Sequence, residues 1–172
     1  MSEECRLTID RLGLAVHPEG GHYRRTFESS FSMGQSRPTM TAILYLLQRG
    51  EMSCLHRIQS DELWFFHSGA PLSIVTFDPL AATCHTTTLF AGPSTEAMHA
   101  PQHVVLAGKW FGAAVDPSEG ADYTLVSCAV SPGFTFTEWE LATPSLLEDP
   151  SFLALSMDEQ THLHNFIKKT PN

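Results

Sequence analysis

The sequence is short of positive charge. Ten lysines and arginines stand against nineteen aspartates and glutamates, a formal net charge of −9 at pH 7. That balance argues against a nucleic acid or an anionic membrane surface as partner, since both need a basic footprint. A few local arginines would still suffice for a small anionic ligand. Cysteine is also scarce. Cys5, Cys54, Cys84 and Cys128 are scattered with no C-x-x-C pair, so reduced, buried thiols in the cytoplasm are expected rather than a disulfide framework. No apolar run is long enough to span a bilayer. The opening MSEECRLTIDRLGL has no basic segment followed by a long apolar one, so a secretion signal is not expected. Repeats, low-complexity blocks and linkers are missing too. With 172 residues and 42% apolar content, this points to one domain, residues 1–172, with a sizeable core.

What is present is a run of short β segments. Leu7, Ile9 and Leu12 make a partial helical face, and Gly13 is a natural stop. Pro18 and Gly20-Gly21 mark a turn. Tyr23 to Phe27 then reads as a strand whose Arg24 and Arg25 point to opposite faces. Residues 28–38 read as a polar loop. Thr39 to Leu47 is an apolar strand on both faces, with Thr41, Ile43 and Tyr45 sharing one of them. Further strands are expected over 53–58, 62–67, 72–77, 84–89, 103–115 (with a glycine turn inside it) and 123–130. Residues 91–102 read as a loop and 118–120 as a turn. FTFTEWEL, 134–141, alternates as a half-buried strand does. Ser156 and Glu159 form a possible capping box ahead of a helix carrying Leu163, Phe166 and Ile167. Short strands with Gly/Pro turns predict an all-β sandwich or barrel over about 20–141, with a helical tail over 144–170.

The chemistry concentrates in GEMSCLHRIQSDELWFFHSG, Gly50 to Gly69. Its histidine and carboxylate, His56 and Glu62, lie on neighbouring strands across a polar turn and can point into one cavity. Alternation puts Ile58 with His56, and Trp64 and Phe66 with Glu62. His67 falls on the other face, and Arg57 points away from His56.

The spacing resembles the first cupin signature, G-x5-H-x-H-x3,4-E-x6-G, which carries three metal ligands inside a small β-barrel. Ile58 occupies the second histidine position. The second signature, G-x5-P-x-G-x2-H-x3-N, aligns with Ala100 to Val115, where Phe111 stands for the histidine and Val115 for the asparagine. Two of four ligands remain, so no tightly held metal is expected and weak binding at His56 and Glu62 is the most the pair could offer. HPEGGHYRRT, TAILYLL, SCLHRIQSDELWFFHSG, QHVVLAGKWFGAA and SPGFTF together resemble a small cupin-like family described as a domain of unknown function (DUF985). The resemblance implies a cupin jelly roll with a short N-terminal helix and a C-terminal helix. It also implies a homodimer with the N-terminal strand reaching to the partner, and a pocket similar to that of the metal-independent dTDP-sugar epimerases.

The residues suggest compatible chemistry. His56 is the expected base, Glu62 its orienter or a proton carrier, and Tyr45 the acid across the cavity, with Tyr23 as a second candidate. Thr41 shares the Tyr45 face. Trp64, Phe66 and Phe111 offer stacking walls, and Arg24, Arg25, Arg57 and Lys109 offer phosphate contacts. Each residue also has a structural reading. The His-Glu pair can be a satisfied hydrogen bond, Tyr45 and the aromatics core, the arginines surface charges, and His17 and Glu19 pins for a turn. The expected function is nucleotide or nucleotide-sugar binding, with metal-independent epimerisation or isomerisation. The alternative is a binding module without turnover, and a metal-dependent dioxygenase is disfavoured.

Overall fold

The computed structural model describes residues 1–30, 37–92, 99–116 and 121–168. Helix α1 (Glu3–Leu12) is capped by the Ser2 side chain, which accepts from the Cys5 amide, and it ends at Gly13 in the left-handed region. Strands β1 (Ala15–Val16), β2 (His22–Glu28), β3 (Thr41–Gln48), β4 (Met52–Arg57), β5 (Asp61–Gly69) and β6 (Leu72–Asp78) follow. After them come β7 (Thr83–Leu89), β8 (His99–Ala100), β9 (Gln102–Val105), β10 (Trp110–Val115), β11 (Tyr123–Ser131) and β12 (Glu140–Leu141). Helices α2 (Pro150–Leu153) and α3 (Met157–His164) lie beyond them.

The described strands pair into two six-stranded sheets, β1-β2-β3-β11-β5-β9 and β12-β4-β10-β6-β7-β8. Only β7 with β8 runs parallel among the described strands. Successive strands β3 to β6 alternate between the sheets, giving a jelly-roll sandwich. This changes the geometry expected for Gly50–Gly69. His56 and Glu62 are not on neighbouring strands of one sheet. They sit on β4 and β5 in opposite sheets and face each other across the interior.

Three apolar clusters hold the layers. Tyr45, Ile58, Trp64, Ile74, Phe111 and Val126 pack between the sheets. Leu46, Leu125 and Tyr123 pack the outside of the first sheet against Cys5 and Leu14 at α1. Leu55, Val75, Phe77 and Trp110 pack the outside of the second sheet against Phe152, Leu163 and Phe166. The tail thus covers the outer face of the second sheet, and the N-terminal segment covers that of the first at Leu46, which is why both faces of β3 read as hydrophobic.

Two readings of the C-terminal part are corrected. Residues 134–141 do not form one alternating strand. A 3-10 turn spans Phe136–Glu138, and only Glu140–Leu141 pair with β4. The segment must carry the chain from β11 in one sheet to β12 in the other, and a straight strand cannot make that crossing. The capping box of Ser156 and Glu159 is present, but the helix stops at His164. The Phe166 carbonyl instead accepts from the Leu55 amide at 2.8 Å, so Phe166 and Ile167 are buried beyond the helix rather than on it. The expected loop at 91–102 contains β8 and the start of β9. Residues 31–36 of the expected 28–38 loop, and the 118–120 turn, lie outside the described residues.

Candidate functional site

The sandwich encloses a cavity of about 560 Å³. Its lining includes His17 and Glu19 from the turn after β1, Tyr23, Arg24 and Arg25 from β2, and Thr41 and Ile43 from β3. His56 comes from β4, Glu62 from β5, and Cys128 and Val130 from β11. Phe134 and Phe136 contribute from the crossing segment.

Glu19 reaches this cavity because of the two glycines that follow it. Gly20 has φ 119° and Gly21 φ 68°. A Cβ on Gly20 would lie 2.0 Å from the Met52 carbonyl oxygen, and one on Gly21 2.7 Å from that of Leu46. The bare backbone lets the turn wedge between β3 and β4. The Cys54 amide then donates to the Glu19 carbonyl at 2.9 Å, which fixes the side chain pointing inward.

The Glu19 carboxylate gathers the polar groups around it. Oε1 accepts from Ser53 Oγ at 2.9 Å, and Oε2 accepts from Trp139 Nε1 at 3.3 Å. Oε2 also lies 3.3 Å from His56 Nε2 and 3.7 Å from His17 Nδ1. The second approach is not an ion pair. His17 Nδ1 accepts from the Glu19 amide at 3.3 Å, so that nitrogen carries no proton and the ring is the neutral Nε2–H tautomer. Burial pushes the His17 pKa down despite the nearby carboxylate, in agreement with that assignment. His56 differs. Its Nδ1 lies 2.8 Å from the Cys54 carbonyl oxygen, which can only accept, so Nδ1 carries a proton. The Phe111 ring packs 4.1 Å from its ring.

Glu62 sits across from this group and is buried. Burial, and secondarily the charge of Glu19, raises its pKa to about 8, against a weaker opposing hydrogen bond from the Cys128 thiol. At neutral pH it is therefore mainly a carboxylic acid. The Cys128 thiol is held well above its ordinary value by burial and by Glu62, so it is not a reactive thiolate.

The other expected site residues divide. Tyr23, Arg24, Arg25 and Thr41 line the cavity. Strand alternation puts Arg25 on the Tyr23 face, where it pairs with Glu28. Arg24 lies toward Gly13, whose Cβ would meet its Cδ at 3.8 Å. Tyr45 is buried behind the turn, and its hydroxyl donates to the Gly20 carbonyl at 2.8 Å, so it is not among the lining residues. Trp64 and Phe111 are core between the sheets, and Phe66 packs edge-on to Phe90. Arg57 points outward, pairs with Glu140 and stacks over Trp110. Lys109 pairs with Asp78. Phe134 and Phe136, which sequence periodicity assigns to a strand, bring further aromatic rings to the cavity beside Tyr23. The crossing segment that carries them is clamped by Arg37, which donates to the Gly133 and Pro132 carbonyls and pairs with Glu138. His67 points away, bonded to Ser127 Oγ.

A resident transition metal does not fit this donor set. Both His56 nitrogens already have partners, and Ile58 and Phe111 stand at the two positions where the cupin signatures place further ligands. Among the described residues no three His, Cys, Asp or Glu side chains are arranged to hold an ion.

The family model described as Cupin superfamily (DUF985) matches residues 6–142. The chain belongs to this cupin family. An X-ray structure of a Shewanella oneidensis protein is 34% identical to this cupin, with a TM-score of 0.79 over 95% of this chain and 96% of that one. A hypothetical protein from Leishmania major is 30% identical, with a TM-score of 0.80 over 95% and 98%. An oxalate decarboxylase from Lactobacillus farciminis shares the fold at 17% identity, with a TM-score of 0.55 over 92% of this chain and 43% of that one. No match was found among curated proteins. No helix among the described residues is long and apolar enough to cross a membrane.

Proposed function

We propose that this cupin binds a nucleotide-linked sugar and moves a proton on its sugar ring, as a metal-independent epimerase or isomerase. One observation carries the reading: His17, Glu19, His56, Glu62 and Tyr23 converge in a single 560 Å³ cavity. Such a lining offers hydrogen-bond donors and acceptors to a polyhydroxyl ring, and the faces of Phe134 and Phe136 offer it apolar contact. Arg24 has no ion pair among the described residues. In a chain of charge −9, an uncompensated guanidinium beside a cavity suits an anionic group such as a diphosphate. The choice of a dTDP-linked sugar rests on the likeness to dTDP-sugar epimerases drawn from the sequence motifs. The four cysteines are free, which supports a reducing compartment, the cytoplasm.

The test uses dTDP-glucose and a dTDP-linked 4-keto sugar. Ligand at about a hundred times its Kd should stabilise the protein by roughly 2.7 kcal/mol and raise the melting temperature by several degrees. In heavy water, the keto sugar should acquire carbon-bound deuterium. Binding without deuterium uptake would favour the non-catalytic binding module. No thermal shift with either compound would remove the nucleotide-sugar reading.

The same proposal extends to assembly as a homodimer. Val16 on the edge strand β1 is 74% exposed, and Phe27 on β2 is 51% exposed, so this edge carries apolar surface that a second copy would cover. Sedimentation equilibrium should return twice the chain mass, and replacement of Val16 and Phe27 by lysine should return the monomer. A wild-type monomer at micromolar concentration would refute it.

A further inference from the structure

We propose that Glu62, rather than His56, exchanges a proton with the bound ligand, and that His56 and Glu19 form a closed pair. This rests on the proton-transfer reading of the cavity. A general base needs a lone pair free to face the ligand. His56 has none to spare. Its Nδ1 must donate to the Cys54 carbonyl, and its Nε2 faces Glu19 Oε2 at 3.3 Å. The Glu19 carboxylate therefore occupies the Nε2 edge of the ring, which is not left open to a ligand. Glu19 is engaged as well, with Ser53 donating to Oε1 and Trp139 to Oε2. His17 uses Nδ1 to accept from the Glu19 amide and has only a donor left. The Tyr45 hydroxyl is spent on Gly20.

Glu62 is what remains. It lines the cavity, and among the described residues its carboxyl has only the Cys128 thiol as a hydrogen-bond partner. The charged and titratable groups lining the same cavity are Glu19 and His17 from the turn, Tyr23, Arg24 and Arg25 from β2, His56 from β4 and Cys128 from β11. A desolvated carboxyl that titrates near the working pH can both take and return a proton. In the step, the Glu62 carboxylate takes the proton from the carbon beside a carbonyl. The C–H electron pair becomes the enolate double bond, and the carbonyl π pair moves to oxygen, where the Tyr23 hydroxyl and His17 Nε2–H are the available donors. Reversal returns the proton to carbon. His56 and Glu19 are positioning residues that keep this wall fixed.

Two measurements test the assignment. The first follows carbon-bound deuterium in a dTDP-linked 4-keto sugar by mass spectrometry. General acid–base groups contribute about 10²- to 10⁴-fold, so Glu62→Gln should slow uptake at least a hundredfold while unfolding cooperatively, and Glu62→Asp should restore part of the rate. Uptake in wild type that survives in Glu62→Gln would overturn this assignment and leave the proton-transfer reading intact. No uptake in wild type would overturn both. The second is ¹⁵N NMR of the ligand-free protein, in which His56 should show a protonated Nδ1 and an Nε2 engaged with Glu19, with no free lone pair, at pH 7. An unprotonated Nε2 free of any hydrogen bond would break the closed pair and return the base role to His56.

Discussion

Replacing Glu19 by alanine should cost this cupin about 3–5 kcal/mol of stability, the range for breaking a buried charge pair by removing one partner. In a domain of this size that corresponds to a fall in melting temperature of roughly 10 °C or more. The loss has identifiable parts. Ser53 Oγ, Trp139 Nε1 and His56 Nε2 all direct their polar atoms at the Glu19 carboxylate. Ser53 and His56 are buried, and alanine at position 19 removes the acceptor they face. A buried donor without an acceptor loses its hydration and gains nothing in return. Trp139 adds a structural consequence, because it lies at the end of the crossing segment that brings Phe134 and Phe136 to the cavity. Calorimetry of wild type and Glu19→Ala provides the check. A difference below about 1 kcal/mol, the worth of one ordinary hydrogen bond, would show that the carboxylate is not the centre of this network.

The second large effect is a pH-dependent one. Glu62 titrates near 8 in the folded protein, raised chiefly by burial, against about 4.3 in an unfolded chain. Below the unfolded value both states hold the proton and the group has no effect. As pH rises between the two values, the unfolded chain releases its proton while the folded one retains it, so stability falls by about 1.4 kcal/mol per pH unit. Above 8 the loss is complete, on the order of 5 kcal/mol from this residue. Glu62→Gln removes the titration while keeping the shape. Its melting temperature relative to wild type should therefore climb by roughly 10 °C between pH 4.5 and pH 8.5. Other titrating groups act on both proteins and cancel in the difference. Two parallel melting curves across that range would mean that Glu62 is ionised in the fold at neutral pH. The assignment of Glu62 as a proton carrier would fall with that result.

Much of the strand order was legible in the sequence because it depends on local rules. Thr39 to Leu47 and Tyr123 to Val130 are rich in β-branched and aromatic residues and bounded by turn formers. Residues of that kind form strands wherever they find partners. The capping box at Ser156 is readable for the same reason, since donor and acceptor are three residues apart. His56 and Glu62 were marked by spacing, and both line the cavity. The crossing segment was misread because Phe134, Phe136 and Trp139 alternate with polar residues just as a half-buried strand does. Their partners are Thr41, His17 and Glu19, a hundred residues away in sequence.

The sequence by itself determined the sandwich, the cavity-facing His56 and Glu62, and the loss of donors at Ile58 and Phe111. The first two follow from periodicity and spacing, and the third from the resemblance to the cupin signatures. Only the tertiary structure decided that Glu19 turns inward and saturates His56, that Tyr45 is spent on a backbone carbonyl, and that Arg57 and Lys109 lie away from the cavity. A side chain's partner is set by which distant strands the sheets bring within about 3 Å of it, the reach of a hydrogen bond, and no local pattern encodes that distance.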